Sequence, residues 1–105
     1  MRTLILSAIL FLGGTAAAEP VEDIWKAKCK SCHGADGAAQ TTEGKKQKVD
    51  SMRPADWQTK WTDEKIKKII LEGSKDKPKM KAFKGKISDE DIDALVKHIR
   101  TFADK

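Results

Sequence analysis

The chain is 105 residues long, 35% of its residues are charged, and its formal net charge is +5 at pH 7. This length accommodates one domain, whose small core gives little stability unless another element adds to it. The positive charge comes almost entirely from lysine and the chain begins like an exported protein, which together argue against a nucleic-acid partner.

Residues 1–18 have the composition of a secretory signal peptide. Arg2 precedes an apolar run over residues 4–12, and the alanines at 16–18 form a cleavage site of the A-x-A type. The apolar run is much shorter than the roughly 20 residues that span a bilayer, so we expect no stable membrane insertion. We predict cleavage after Ala18, export to the periplasm and one mature domain over residues 19–105, with an uncleaved anchor as the alternative.

The first helix is predicted over residues 20–30. Pro20 suits the first helical position, and the acidic Glu22 and Asp23 suit the positive end of the helix dipole. The helix leads directly into the sequence C-x-x-C-H, which contains both cysteines of the chain.

The C-x-x-C-H pattern is the attachment site of a c-type haem. The thiols of Cys29 and Cys32 can each add to a haem vinyl group, and the imidazole of His33 then reaches the iron as an axial ligand. The spacing is short because the porphyrin is rigid and its three bonding points lie close together. The pattern therefore predicts one covalently bound haem c.

Three other interpretations of the two cysteines are weaker. A thioredoxin-like redox motif needs a βαβ setting, and no strand pattern surrounds this one. A structural zinc site needs four ligands, usually in two pairs separated by a loop, whereas His33 directly follows Cys32. A structural disulfide between Cys29 and Cys32 is the plain alternative for an exported protein.

The middle of the chain is predicted to contain a loop, a short helical segment and a helix. Glycines punctuate residues 34–53, where no helical stripe persists, and Trp57 lies in a short segment over residues 54–60. Thr62 is a good N-cap and Gly73 a C-terminal stop, so a helix is predicted between them.

The last part of the chain combines a basic loop with the clearest amphipathic helix. Residues 73–86 carry six lysines against one acid, Asp76, and have Met80 at their centre. Ser88 is the predicted N-cap of the last helix, and Asp91 completes a pattern much like a capping box. The apolar stripe of this helix recurs at helical spacing, at Ile92, Leu95, Val96, Ile99 and Phe102.

An iron atom held by His33 has a second axial position, for which the chain offers three candidates. Met80 lies in the loop between two amphipathic helices, Met52 lies nearer to the haem motif, and His98 lies within the last helix. Since a methionine is more often simple core filler, the residue types alone leave this choice open.

The order of these features resembles the class I cytochromes c, specifically their small bacterial periplasmic members. That order is C-x-x-C-H, an amphipathic helix ending at glycine, a loop methionine followed by phenylalanine, and a serine-capped helix. The resemblance implies an all-α fold in which the N- and C-terminal helices cross, with one or two further helices and loops wrapped around the haem. It also implies that Met80 is the second axial ligand, although Lys81 stands where a proline often follows.

The resemblance also implies roles for residues around the haem. Members of the family often hold the propionates with Trp, Tyr or Arg, for which the candidates here are Trp57, Trp61 and Arg53; core packing is the alternative for the tryptophans. His98 stands at an aromatic position of the helix crossing, which implies packing. The second nitrogen of His33 is expected to bond to a backbone carbonyl, often that of a proline, although none lies near in sequence.

We therefore expect an electron-transfer protein rather than an enzyme. Met/His coordination raises the haem potential, and two occupied axial positions leave no place for a substrate. The expected role is to shuttle one electron between redox partners of a respiratory or related chain, as a monomer whose lysines meet acidic docking faces. The alternative is a haem enzyme or sensor with a labile sixth ligand, suited to gas binding or peroxidase chemistry.

Overall fold

The computed structural model describes residues 20–104, so the predicted signal peptide and its cleavage site at Ala18 lie outside the described residues. Within that range the only β-pairing is an isolated bridge between Ser74 and Met80. The helical elements in order are α1 (Val21–Ile24), a π-helical segment (Trp25–Cys29), α2 (Lys30–His33), α3 (Thr42–Gln47), α4 (Ala55–Lys60), α5 (Asp63–Glu72) and α6 (Asp89–Arg100). None of these described helices is long and apolar enough to cross a membrane. The predicted all-α fold is confirmed.

The N-terminal helical run continues from Val21 to His33, beyond its predicted end at residue 30. Its centre is π-helical, because the Lys30 N–H bonds to the carbonyl of Trp25 rather than to the next carbonyl along the chain. Such a wide turn accommodates one extra residue and is frequent at functional sites. The turn shifts the register of the C-x-x-C-H residues relative to the buried face of the helix, which the sequence pattern did not indicate.

The prediction of loop throughout residues 34–53 is wrong for α3. The hydroxyl of Thr41 caps this helix by accepting a hydrogen bond from the Gly44 N–H at 2.8 Å. The helix ends at Lys48, which is left-handed with φ +58°. Gly44 would ordinarily disfavour a helix, but it lies inside this one because a Cβ there would overlap the carbonyl oxygen of Cys32.

Both predicted caps of the longer helices are confirmed. Thr62 accepts a hydrogen bond from the Lys65 N–H at 3.2 Å, and Ser88 accepts one from the Asp91 N–H at 3.1 Å. The capping box is only half formed, because Oδ1 of Asp91 is buried without a hydrogen-bond partner in residues 20–104. The predicted stop at Gly73 is also confirmed, with φ +69°.

The core forms where α6 packs against α1 and α5, so the first and last helices meet as predicted. Ile92 and Leu95 lie at its centre, 0% and 1% exposed, and Ile66 and Ile70 face them from α5. The whole predicted stripe of α6, as far as Phe102, is buried. Each such aliphatic or aromatic side chain contributes about 1.5–3 kcal/mol by burial.

Candidate haem site

The C-x-x-C-H residues lie at the end of the N-terminal helical run. Cys29 closes the π-helical segment, and Cys32 and His33 belong to α2. All three are half-buried, and the two thiols are free rather than joined in a disulfide. Desolvation by burial raises the pKa of the Cys29 thiol to about 11, so this group is protonated at neutral pH. Neither sulfur is bonded to another cysteine, so both are available for covalent attachment.

The backbone around the motif is held by the loop that follows it. The hydroxyl of Thr41 donates a hydrogen bond to the carbonyl of Ser31 at 2.7 Å, and the Ala39 N–H donates to the carbonyl of His33 at 2.9 Å. The sequence analysis did not single out Thr41 or Ala39. Thr41 carries the one usable signal, because a threonine before a short polar run is a common helix N-cap.

The imidazole of His33 packs against an indole, and burial favours its neutral form. Its ring lies against Trp25, with the ring centroids 5.9 Å apart, and burial lowers the pKa of His33 below its ordinary value. Nδ1 is buried and has no hydrogen-bond partner in residues 20–104. The prediction that this nitrogen bonds to a backbone carbonyl is therefore wrong for residues 20–104. A neutral imidazole is the form that ligates a metal.

Hydrogen bonds hold the backbone of Met80 near the C-terminal end of α5. The N–H of Ser74 donates to the Met80 carbonyl at 2.9 Å, and the Met80 N–H donates back at 3.0 Å. The Phe83 N–H donates to a carbonyl of α5 at 2.9 Å. Gly73 permits this close approach, since a Cβ there would lie 2.5 Å from the Met80 carbonyl oxygen. The segment is thus anchored although Lys81 replaces the usual proline.

The two rival axial ligands are engaged in packing. Met52 belongs to the core and is 6% exposed. The ring of His98 packs against Trp25 and Phe102, with centroid distances of 5.4 and 4.9 Å. His98 therefore joins the contact between the first and last helices, which is the role that the resemblance implied.

Trp57 and Trp61 form a stacked pair, with ring centroids 5.8 Å apart and an angle of 21° between the ring planes. Both are half-buried. They share the margin of the core with other incompletely buried apolar residues, among them Cys29, Ile69 and Met80. The structure therefore places the tryptophans, one thiol and the loop methionine on the edge of one apolar cluster.

The side chain of Arg53 is hydrogen-bonded to Asp104 and Asp36 and not to the tryptophan pair. Its Nε donates to Oδ1 of Asp104 at 3.0 Å, and its Nη1 donates to the carbonyl of Asp36 at 3.3 Å. These bonds join the loop after the haem motif to the end of the chain. The guanidinium group already has partners there, and its predicted contact with a propionate stays a prediction.

Arg100, the last residue of α6, was not among the predicted site residues. It donates from Nη1 to the carbonyl of Gln58 at 2.8 Å, and from Nη2 to the carbonyl of Trp61 at 2.7 Å and to Asp63 at 2.8 Å. These bonds tie the segment that carries both tryptophans to the last helix. No local sequence signal could have indicated this role, because the partners are about 40 residues away.

A cleft of about 320 Å³ lies along α5. It is lined by Trp61, Lys65, Lys68, Ile69, Glu72 and Gly73. Trp61 stacks on Trp57, and Gly73 adjoins the Met80 carbonyl. Two lining residues, Trp61 and Ile69, also belong to the incompletely buried margin of the core.

The residues present fit a covalently attached haem. Two free thiols, a half-buried imidazole whose pKa is lowered, and a methionine with an anchored backbone are the donors that a haem c with Met/His coordination requires. The half-buried apolar margin supplies the surface against which a rigid, mainly apolar ring would pack.

Comparisons with known proteins also indicate a c-type cytochrome. A family model described as cytochrome c oxidase, cbb3-type, subunit III matches residues 16–99. Among solved structures, the KustC0563 c-type cytochrome is 35% identical with a TM-score of 0.72, over 79% of this chain and 96% of that chain. A tyrosine-to-phenylalanine mutant of that cytochrome is also 35% identical, with a TM-score of 0.70 over 78% of this chain and 96% of its own. No curated protein matches the chain.

The family match extends over most of the sequence, and the structural match spans nearly the whole of a c-type cytochrome. The predicted relationship to the cytochromes c and the predicted single covalent haem are thereby confirmed. The chain belongs to the family of c-type cytochromes described as cytochrome c oxidase, cbb3-type, subunit III, and it is a haem electron-transfer protein that carries one haem c.

Proposed function

We propose that this chain is an exported periplasmic carrier that passes one electron between redox proteins and alters no substrate. Cys29 and Cys32 form the thioether bonds, and His33 and Met80 are the axial ligands. The observation that supports this proposal most strongly is the double hydrogen bond between Ser74 and Met80, at 2.9 and 3.0 Å. A ligand whose backbone is held on both sides keeps its axial position filled.

Haem c supplies the one-electron chemistry of the site. The residues of the chain bind it, orient it and exclude other reactions. His33 offers a neutral imidazole because burial disfavours its protonated form. Met80 offers a soft thioether, which favours the reduced metal and raises the potential. Since the Met80 segment is hydrogen-bonded to Ser74 and to α5, its backbone would hold the thioether near one position in either oxidation state.

The propionates are proposed to meet the stacked pair of Trp57 and Trp61. Both rings are half-buried beside the cleft, and an indole N–H is a donor without an acceptor function, suited to a carboxylate. Arg53 is the weaker candidate, because its guanidinium group would have to leave Asp104 and Asp36.

The proposed partner presents an acidic face. The lysines at 75, 77, 79, 81, 84 and 86 are all exposed around the Met80 segment, and those at 26, 28 and 30 are exposed beside the cysteines. Charges grouped in this way accelerate encounter with an oppositely charged protein. Transient docking of this kind suits a monomer that releases its partner after each electron.

The test is to express the full chain in a host that attaches haem during export. We expect a mature chain beginning at residue 19, with one haem that stays bound after denaturation, and a low-spin spectrum that resists carbon monoxide at neutral pH. Cys29→Ser and Cys32→Ser should each remove one of the two covalent bonds. Haem that separates on denaturation, or rapid carbon monoxide binding by the natural protein, would contradict the proposal; the second result would favour a sensor or enzyme with an open axial position.

A further inference from the structure

We propose that Trp25 is the positioning residue of the axial histidine, orienting the imidazole of His33 through ring contact and a hydrogen bond to the following residue. This inference rests on the proposed function, in which His33 ligates the iron. It assigns to a side chain of the core a role in the ligand geometry.

No hydrogen bond from Nδ1 within residues 20–104 holds the ring of His33. A ligating histidine ordinarily donates its second ring N–H to a carbonyl or carboxylate, which sets the ring orientation and raises the basicity of the ligand. Nδ1 of His33 is buried, and residues 20–104 provide it with no hydrogen-bond partner. The orientation of the imidazole therefore depends on the groups that pack around it.

Trp25 is the aromatic group in contact with that ring. The indole is 4% exposed, and its plane is tilted by 41° from the imidazole plane at a centroid distance of 5.9 Å. Its Nε1–H donates a buried hydrogen bond of 2.8 Å to the carbonyl of Gly34, the residue directly after His33. The Gly34 N–H in turn donates to the Lys30 carbonyl at 2.8 Å. Gly34, which directly follows the ligand, is thus hydrogen-bonded through both its backbone N–H and its carbonyl.

Trp25 also packs against the C-terminal segment. His98 and Phe102 lie 5.4 and 4.9 Å from the indole, measured between ring centroids. Trp25 also begins the π-helical segment, in which its carbonyl accepts the Lys30 N–H. These contacts bury the indole, and its hydrogen bond to Gly34 joins it to the residue after the ligand.

Two variants separate the hydrogen bond from general packing. Trp25→Phe keeps an aromatic ring beside His33 but removes the bond to Gly34. His98→Phe is the matched control, because it alters the packing of the last helix on the same indole and leaves the bond to Gly34 intact. Both are made in the haem-loaded protein and compared by the electron paramagnetic resonance g-values of the ferric form, the reduction potential and the thermal unfolding midpoint.

We expect Trp25→Phe to shift the g-values and the reduction potential, and His98→Phe to lower the unfolding midpoint while leaving both nearly unchanged. Unchanged g-values in Trp25→Phe, or equal shifts in both variants, would overturn the inference. If His33→Ala instead retained the natural spectrum, the proposed ligand set itself would be wrong, so the two failures are distinguishable.

A second measurement needs no variant and covers the case in which Trp25→Phe does not fold. Hydrogen exchange of the Trp25 indole N–H is followed by NMR in the reduced, diamagnetic protein. This N–H should exchange far more slowly than an indole N–H of the unfolded chain, because it is buried and bonded to Gly34. Exchange at the rate of the unfolded chain would show that the bond to Gly34 is absent and would overturn the inference.

Discussion

The backbone of Gly44 lies against the carbonyl oxygen of Cys32, so closely that any side chain at position 44 would overlap it. The same approach brings the hydroxyl of Thr41 to within 2.7 Å of the Ser31 carbonyl. α3 thus supports the backbone between the two cysteines. This contact explains a glycine inside a helix, where it would otherwise cost about 0.5–1 kcal/mol relative to alanine.

Gly44→Ala should therefore destabilise the haem protein, by about 1–3 kcal/mol, because the gain in helix propensity is outweighed by overlap with fixed backbone atoms. Denaturant unfolding of the purified protein measures the change. Lys45→Ala is the control, since Lys45 is an exposed neighbour in the same helix and should change the stability by no more than about 0.5 kcal/mol. Equal or greater stability in Gly44→Ala would show that α3 is not packed on the motif.

Gly73 and Gly85 provide a matched pair for the methionine ligand. Both have left-handed backbones, at φ +69° and +78°, so alanine is strained at either position. Only Gly73 adjoins Met80, whose carbonyl would lie 2.5 Å from a new Cβ; at Gly85 the added atom meets nothing within 4 Å. Gly73→Ala should therefore displace Met80 and allow carbon monoxide to bind, whereas Gly85→Ala should keep the natural resistance. Equal resistance in both variants would argue against Met80 as the ligand.

The sequence predicted the parts of the fold that depend on local signals. The caps at Thr62 and Ser88, the stop at Gly73 and the buried stripe of α6 follow from short-range hydrogen bonding and helical periodicity, and all were found. α3 was missed because a glycine in a short polar helix is explained only by its tertiary contact with Cys32.

The same distinction holds for the candidate site. Cys29, Cys32 and His33 were predicted from the spacing of the C-x-x-C-H motif and Met80 from the resemblance, and their roles toward the haem stay predictions. The hydrogen bonds made by Trp25 and Arg100 connect residues that no local pattern relates, and the π-helical turn changes a register that helical periodicity assumes constant. These features could be seen only once the chain was folded.

Arg100 should contribute to stability well beyond its surface charge. Its guanidinium group satisfies the carbonyls of Gln58 and Trp61 and pairs with Asp63. Arg100→Ala should cost about 2–3 kcal/mol in unfolding, because hydrogen bonds to a charged donor are lost and carbonyls are left unpaired. Arg100→Lys should lose most of that amount, since an ammonium group cannot reproduce the planar fork. Lys97→Ala, at an exposed position of the same helix, should be nearly neutral; a similar loss there would assign the effect to net charge.

The reactivity of Cys29 should depend on pH in the haem-free chain, produced without its leader so that no haem is attached. Burial raises the pKa of this thiol to about 11, so alkylation of Cys29 by iodoacetamide should be slow at pH 8 and increase as pH rises towards 11. In denaturant the same thiol should react as an exposed cysteine thiol does, with a pKa of about 8.5. Because the Cys29 thiol ionises at lower pH in the unfolded chain than in the folded one, the free energy of unfolding should also fall as pH rises from about 8.5 to about 11. Peptide mapping by mass spectrometry gives the rate; equal rates with and without denaturant would show that Cys29 is not buried before haem attachment.

The lysines around Met80 should control the rate of electron transfer to charged reagents. At a separation of about 10 Å in water, one pair of unit charges contributes roughly 0.4 kcal/mol, which is about a twofold change in rate, and salt screens it at that distance. Oxidation by ferricyanide, an anion, should slow as ionic strength rises, whereas oxidation by a cationic cobalt complex should accelerate. The double variant Lys79→Gln with Lys81→Gln should flatten both dependences more than Lys97→Gln with Lys60→Gln, which removes the same charge from exposed positions outside the 73–86 segment. If the two double variants behaved alike, the reagents would be sensing net charge only, and the acidic docking face proposed for the partner would lose its support while the carrier role would stand.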